Sequence, residues 1–123
     1  QQERGMAIML ITHNLGVVAE ICEQVIVMYL GQVVERAGAD ALFHDSLHPY
    51  TQALLRSIPI LGRSKSGRLD PIKGMVPDPY NRPAGCAFHP RCAKRITGRC
   101  DQEPIPLVEL PDGRAVRCVL YQQ

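Results

Sequence analysis

The chain has 123 residues, 46% of them hydrophobic, and 14 basic against 12 acidic residues give a formal charge of +2. That is apolar material for one domain with a modest core, too much for bulk disorder, and too small a basic excess to point to nucleic acid. The longest apolar runs, residues 6–11 and 25–30, are six residues each, where a membrane-spanning helix needs about twenty.

In chain order, Ala7, Ile8, Met9, Leu10 and Ile11 form a continuous apolar run. This is the pattern of a strand buried on both faces of a parallel sheet, with polar Thr12, His13 and Asn14 at its carboxyl end. Leu15, Val18, Ala19 and Cys22 recur at helical spacing behind Asn14, a good N-cap, while Glu20 and Glu23 lie on the other face. They predict an amphipathic helix in which Cys22 is a small buried hydrophobe. Residues 25–30 read as a second strand, Gly31 as a turn, residues 32–36 as the return strand of a hairpin, and Gly38 as its end. A short helix is expected over 39–43 and another over 49–57. Pro49 opens the latter at its first turn, and Ala53, Leu54, Leu55 and Ile58 face inward.

The texture changes at Pro59, from which onward nine of the ten prolines occur, and the basic Gly/Ser-rich stretch 62–68 reads as a linker. Such a segment has too little periodic apolar surface to fold alone, so something must staple it. Cys86, Cys92, Cys100 and Cys118 are the available staples, with five, seven and seventeen residues between them. Without a signal-peptide pattern at the start of the chain, clustered thiols more often bind metal than pair as disulfides. The spacing matches neither a paired zinc ribbon nor a ferredoxin run, so zinc, an iron–sulfur cluster and unligated buried thiols stay open, with disulfides last. His44 and His89 show no partner pattern and read as surface or packing residues. No G-x-x-x-x-G-K-[ST] loop occurs, and a strand begins almost at once without an initiator methionine. The expectation is the C-terminal part of a larger α/β protein, divided into 1–58, a linker over 59–85 and a cysteine-rich unit over 86–123.

Four segments together, ITHNLGVVAEICEQVIVMYLGQVVE, HPYTQALLRSIP, GCAFHPRC and the final VRC, resemble the C-terminal part of the ATP-binding subunits of oligopeptide and dipeptide ABC importers, in the peptide and nickel group. The resemblance covers nearly the whole chain. It implies the end of a P-loop ABC ATPase domain (buried strand, helix, hairpin, short helices) followed by an irregular cysteine-rich domain. It also implies that His13 contacts the γ-phosphate of ATP and helps hold the attacking water, with Mg2+ and the rest of the nucleotide site supplied elsewhere in the complete subunit. Asn14 stands where an aspartate is common in these subunits, and both residues cap helices well. His48, Pro49, Tyr50 and Thr51 form the group's C-terminal marker, for which a structural role is expected.

The same resemblance implies that Cys86, Cys92, Cys100 and Cys118 hold a [4Fe-4S] cluster, with Zn2+ as the alternative. Arg91, Arg99 and Arg117, each next to one of these cysteines, would favour thiolates. Implied partners are a second ATP-binding subunit and transmembrane permease subunits, on the cytoplasmic face of the inner membrane, with peptide handled by the partners. Lacking phosphate loop, signature and Walker B motifs, the chain alone is expected to be inactive. The competing reading is a non-enzymatic metal-binding or interaction module.

Overall fold

Two runs of β-branched and aromatic residues separated by a tight turn dictate the centre of the molecule. In the computed structural model, which describes residues 5–58, 71–102 and 104–122, they form the antiparallel strands β1 (Gln24–Tyr29) and β2 (Gln32–Gly38). Leu30 and Gly31 both take positive φ, 45° and 76°. That left-handed pair matches the twist of the flanking strands, and glycine adopts it without a Cβ clash. Val25, Val27 and Tyr29 turn inward while Ile26 and Met28 remain exposed, the alternation of a strand with one covered face.

The register slips between Val27, opposite Glu35, and Met28, opposite Val33, so Val34 is the extra residue of a β-bulge. The bulge breaks the alternation on β2, and consecutive Val34 and Glu35 are both buried. Two short strands, β3 (Val108–Glu109) and β4 (Ala115–Val116), extend the sheet on the β2 side in the order β1-β2-β4-β3, all antiparallel. The C-terminal stretch is thereby built into the same sheet as the hairpin.

Helix α1 (Leu15–Ile21) is capped by Asn14, whose side chain accepts the Val17 N–H at 3.2 Å. Helix α2 (Ala39–His44) follows β2 directly and buries Leu42 completely. Helix α3 (Pro49–Arg56) starts at the expected proline, with the side chain of His48 as its cap. Its buried residues are Pro49 and Thr51; Ala53, Leu54, Leu55 and Ile58 are only half-buried, because no described element covers that face. The core joins Val27, Tyr29, Val34, Ala37 and Leu42 to Ala87 and Phe88. Phe88 packs edge-on against both Tyr29 and Tyr50, with ring centroids 5.4 Å apart in each case, so one aromatic ring ties the cysteine segment to β1 and α3.

The run Ala7, Ile8, Met9, Leu10 and Ile11 departs from expectation. It is not a strand and it is not buried: Ile8, Met9 and Ile11 are 68%, 87% and 91% exposed. The sheet ends at β1, so no neighbour supplies the hydrogen bonds or the covering layers that a two-sided inner strand requires. The expected linker over 62–68 lies outside the described residues. Among the described residues no helix is long and apolar enough to cross a membrane.

Candidate functional site

The bulge on β2 sets the site. It directs the Glu35 carboxyl beneath the loop leading into α3, where its two oxygens accept the backbone N–H of Leu47 at 2.7 Å and of His48 at 2.9 Å. Glu35 is fully buried, and these two bonds satisfy a group that would otherwise be costly there. Tyr121 donates its hydroxyl to the Leu47 carbonyl at 3.2 Å, closing the loop from the C-terminal side.

His48 is thus held from below. Its Nδ1 accepts the Tyr50 N–H at 3.0 Å, and the ring is 1% exposed. Burial lowers its pKa to about 4, and a hydrogen bond with the Arg117 backbone works the other way.

Beyond the His48 ring lies a small recess walled by Phe88, Val119 and Leu120, and Cys86, Cys92, Cys100 and Cys118 all line it. The structure therefore brings together the four cysteines singled out in the sequence, with none of them in a disulfide. Gly85 makes this possible. It has φ +70°, and a Cβ there would stand 2.3 Å from the Cys100 carbonyl oxygen, which accepts the Cys86 N–H at 2.8 Å. The Ile96 N–H points to Cys100 Sγ at 3.3 Å, the kind of backbone donor that accompanies metal-bound sulfur.

Burial is the main cause raising the Cys86 thiol to about 11, with proximity to Cys118, Cys100 and Cys92 adding to it. Cys92 and Cys118 are raised as well, first by burial. Lys94, which lines the recess, is the cation that favours their thiolates. The expectation for the arginines needs correction here. Arg91 donates to the carbonyls of Ile72 and Lys73 at 3.0 and 3.1 Å, and Arg117 to those of Val33 and Ile105 at 2.8 and 2.7 Å. Both guanidinium groups tie backbone segments together.

Among the described residues, no three His, Cys, Asp or Glu side chains are grouped as a metal ion would require. A zinc site closes four sulfurs to about 2.3 Å from one centre, and this arrangement does not do so. What the structure shows is four cysteines, none in a disulfide, lining one recess, with a backbone N–H directed at one sulfur. Cys22 stands apart in a different hollow between α1 and α2.

His13 lies elsewhere. It sits exposed in a bend between the 6–11 run and α1, with no hydrogen bond or ion pair among the described residues, and it does not line the cysteine recess. His44 bonds locally to the Asp40 carbonyl at 2.9 Å, and His89 to that of Cys86 at 3.0 Å. Glu35 is the candidate that sequence reasoning passed over, whereas His48 was expected to play a structural part in the marker, and it caps α3. The one signal was a histidine placed immediately before a helix-opening proline.

Comparison with known proteins agrees with this architecture. Residues 34–100, from the bulge to the third cysteine of the recess, match the model for the oligopeptide/dipeptide transporter C-terminal region. The chain belongs to that family. It is 49% identical over 122 residues to the oligopeptide transport ATP-binding protein AppD of Bacillus subtilis, an alignment covering 99% of this chain and 37% of that protein. To the dipeptide transport ATP-binding protein DppD of Escherichia coli it is 50% identical over 118 residues, covering 96% of this chain and 36% of the relative. The chain thus spans about a third of the length of these relatives.

Proposed function

We propose that the chain is the C-terminal part of an ATP-binding subunit that drives a peptide ABC importer. The observation that carries this is the end-to-end similarity to two peptide-transport ATP-binding proteins, together with the family match over residues 34–100. In this reading the exposed run 7–11 is an inner strand of a sheet completed by the part of the subunit that this chain does not span. His13 at its end then reaches the γ-phosphate of a bound ATP. Phosphoryl transfer is catalysed by positioning and charge stabilisation, and an uncommitted imidazole beyond a strand's carboxyl end is suited to hold the attacking water. ATP and Mg2+ are held mainly by the rest of the subunit. The partners are a second ATP-binding subunit and permease subunits at the cytoplasmic face of the membrane, and peptide selection lies with them.

In the complete subunit, His13→Ala should leave ATP binding intact and lower steady-state hydrolysis by about 10²–10⁴-fold. Hydrolysis at the wild-type rate sinks the assignment. The 123-residue chain alone should show no saturable ATP binding by calorimetry, because it contains no phosphate loop.

The four cysteines on one recess support a second element, a [4Fe-4S] cluster held by Cys86, Cys92, Cys100 and Cys118. When bound, such a cluster supplies cross-linking metal–sulfur bonds and one-electron redox chemistry. The chain's own contribution is to exclude water with Phe88, Val119 and Leu120 and to set charge with Lys94. Anaerobically prepared protein should be brown, with about four irons and four sulfides per chain, and Cys22→Ser should keep both. A colourless preparation holding one zinc would favour the metal-binding module with a structural ion instead.

A further inference from the structure

Residues 12–18 hold a set of local hydrogen bonds arranged around one uncommitted side chain. Thr12 Oγ1 accepts the Asn14 N–H at 3.0 Å, Asn14 Oδ1 accepts the Val17 N–H at 3.2 Å, and the Asn14 carbonyl accepts the Val18 N–H at 3.2 Å. His13 is the residue these bonds enclose. It is the middle of the turn from Thr12 to Asn14, it is exposed, and its imidazole makes no hydrogen bond among the described residues.

A hydroxyl that accepts the N–H two residues on closes a ring through the backbone between them, and so narrows the φ and ψ of the enclosed residue. The Asn14 cap fixes the far side, holding Asn14 at φ −86° and ψ 96° where the chain enters α1. Gly16 leaves room for that cap, since a Cβ there would stand only 3.3 Å from Asn14 Oδ1. Each of these bonds joins residues within a turn of one another. They need no partner from the rest of a sheet, and they carry over to a longer chain in which residues 7–11 are paired.

We propose that Thr12, together with the Asn14 cap, is a positioning residue for His13: its hydroxyl fixes the bend so that the imidazole leaves the backbone in one direction, towards the phosphoryl group to be transferred. The proposal rests on the reading that His13 acts on the γ-phosphate of ATP. It goes beyond that reading by assigning the aim of the imidazole to neighbours that touch no nucleotide. A reacting group misplaced by an ångström can cost about 10²-fold in rate. Nucleotide binding is held elsewhere in the subunit, so a loss of aim lowers kcat and leaves KM for ATP alone.

The test is steady-state ATP hydrolysis by the complete subunit. Thr12→Val keeps the branched shape but removes the acceptor, and should lower kcat by roughly 10- to 10²-fold with KM unchanged. Thr12→Ser restores the acceptor and should restore the rate. In a His13→Ala background Thr12→Val should have no further effect, because the two side chains act as one unit. Wild-type kcat in Thr12→Val, or the same further drop with and without the imidazole, overturns the positioning role; a slow His13→Ala then still upholds His13. If Thr12→Val does not fold, Asn14→Ala and Asn14→Asp decide: loss in the first and retention in the second, which still caps α1, supports the proposal, and equal rates overturn it. His13→Ala at the wild-type rate overturns the catalytic reading and this proposal with it.

Discussion

Two apolar runs of equal length meet opposite fates in this molecule. Residues 25–30 supply β1, whose Val27 and Tyr29 are 8% and 6% exposed, whereas Ile8 and Ile11 of the 6–11 run are 68% and 91% exposed. Composition does not separate them. The difference is partnership: β1 has β2 eight residues away across a two-residue turn, and Phe88 and Leu42 cover its face. The 6–11 run has neither ladder nor cover. Hydrophobicity makes a segment worth burying, but a strand exists only where another backbone satisfies its N–H and C=O groups.

The packed side of this comparison breaks most severely at Gly85. In Gly85→Ala the new Cβ meets the Cys100 backbone oxygen at 2.3 Å in a position with φ +70°. Neither partner is a flexible side-chain end, so relief requires the Cys86 and Cys100 segments to separate. A left-handed alanine plus overpacking should cost about 4 kcal/mol, read as a lower urea midpoint, with loss of any metal bound at the recess. A loss under about 1 kcal/mol would mean that these segments are not held together as described.

Next in size is Glu35. Removing the carboxyl in Glu35→Ala leaves the buried N–H groups of Leu47 and His48 without acceptors, a penalty of about 3 kcal/mol. Glu35→Gln retains one acceptor oxygen and should lose roughly half as much. Equal losses in the two variants would show that side-chain volume, not hydrogen bonding, is what matters at the bulge.

Acid should loosen the same region through His48. Its pKa is about 4 in the folded protein against 6.5 for the ordinary side chain. Between those values the unfolded chain binds the extra proton and the native state does not, so stability falls as pH drops below 6.5 and levels off below 4. The loss reaches about 2 kcal/mol by pH 5. Urea titrations of metal-free protein at pH 7 and pH 5 measure it, and in His48→Asn this pH dependence should shrink.

What the sequence disclosed and what it hid divide along the same physical line. The hairpin, the Asn14 cap and the proline start of α3 were legible because each is a local decision, made by residues within a turn of one another. The meeting of the four cysteines was implied by family resemblance, since spacing alone left several chemistries open. Hidden were the features that depend on register. A one-residue bulge at Val34 turns Glu35 inward, and without knowing which residue faces Val27 nothing marks that glutamate as buried or His48 as its dependent. Two-residue strands such as β3 and β4 carry too little pattern to be read at all.

The smallest effect belongs to the uncovered run. Ile11 is 91% exposed, with no described element packed over it, so Ile11→Lys removes no buried area within this chain. Its stability should change by less than about 0.5 kcal/mol, while self-association of the isolated chain, read by sedimentation, should fall because an exposed apolar segment with unpaired backbone groups is a template for pairing. In the complete subunit the same substitution should be severe, since the run would there be an inner strand and a lysine between two layers would be buried without a counter-charge. A neutral outcome in both settings would show that residues 7–11 join no sheet, and the strand-end placement proposed for His13 would fall with them.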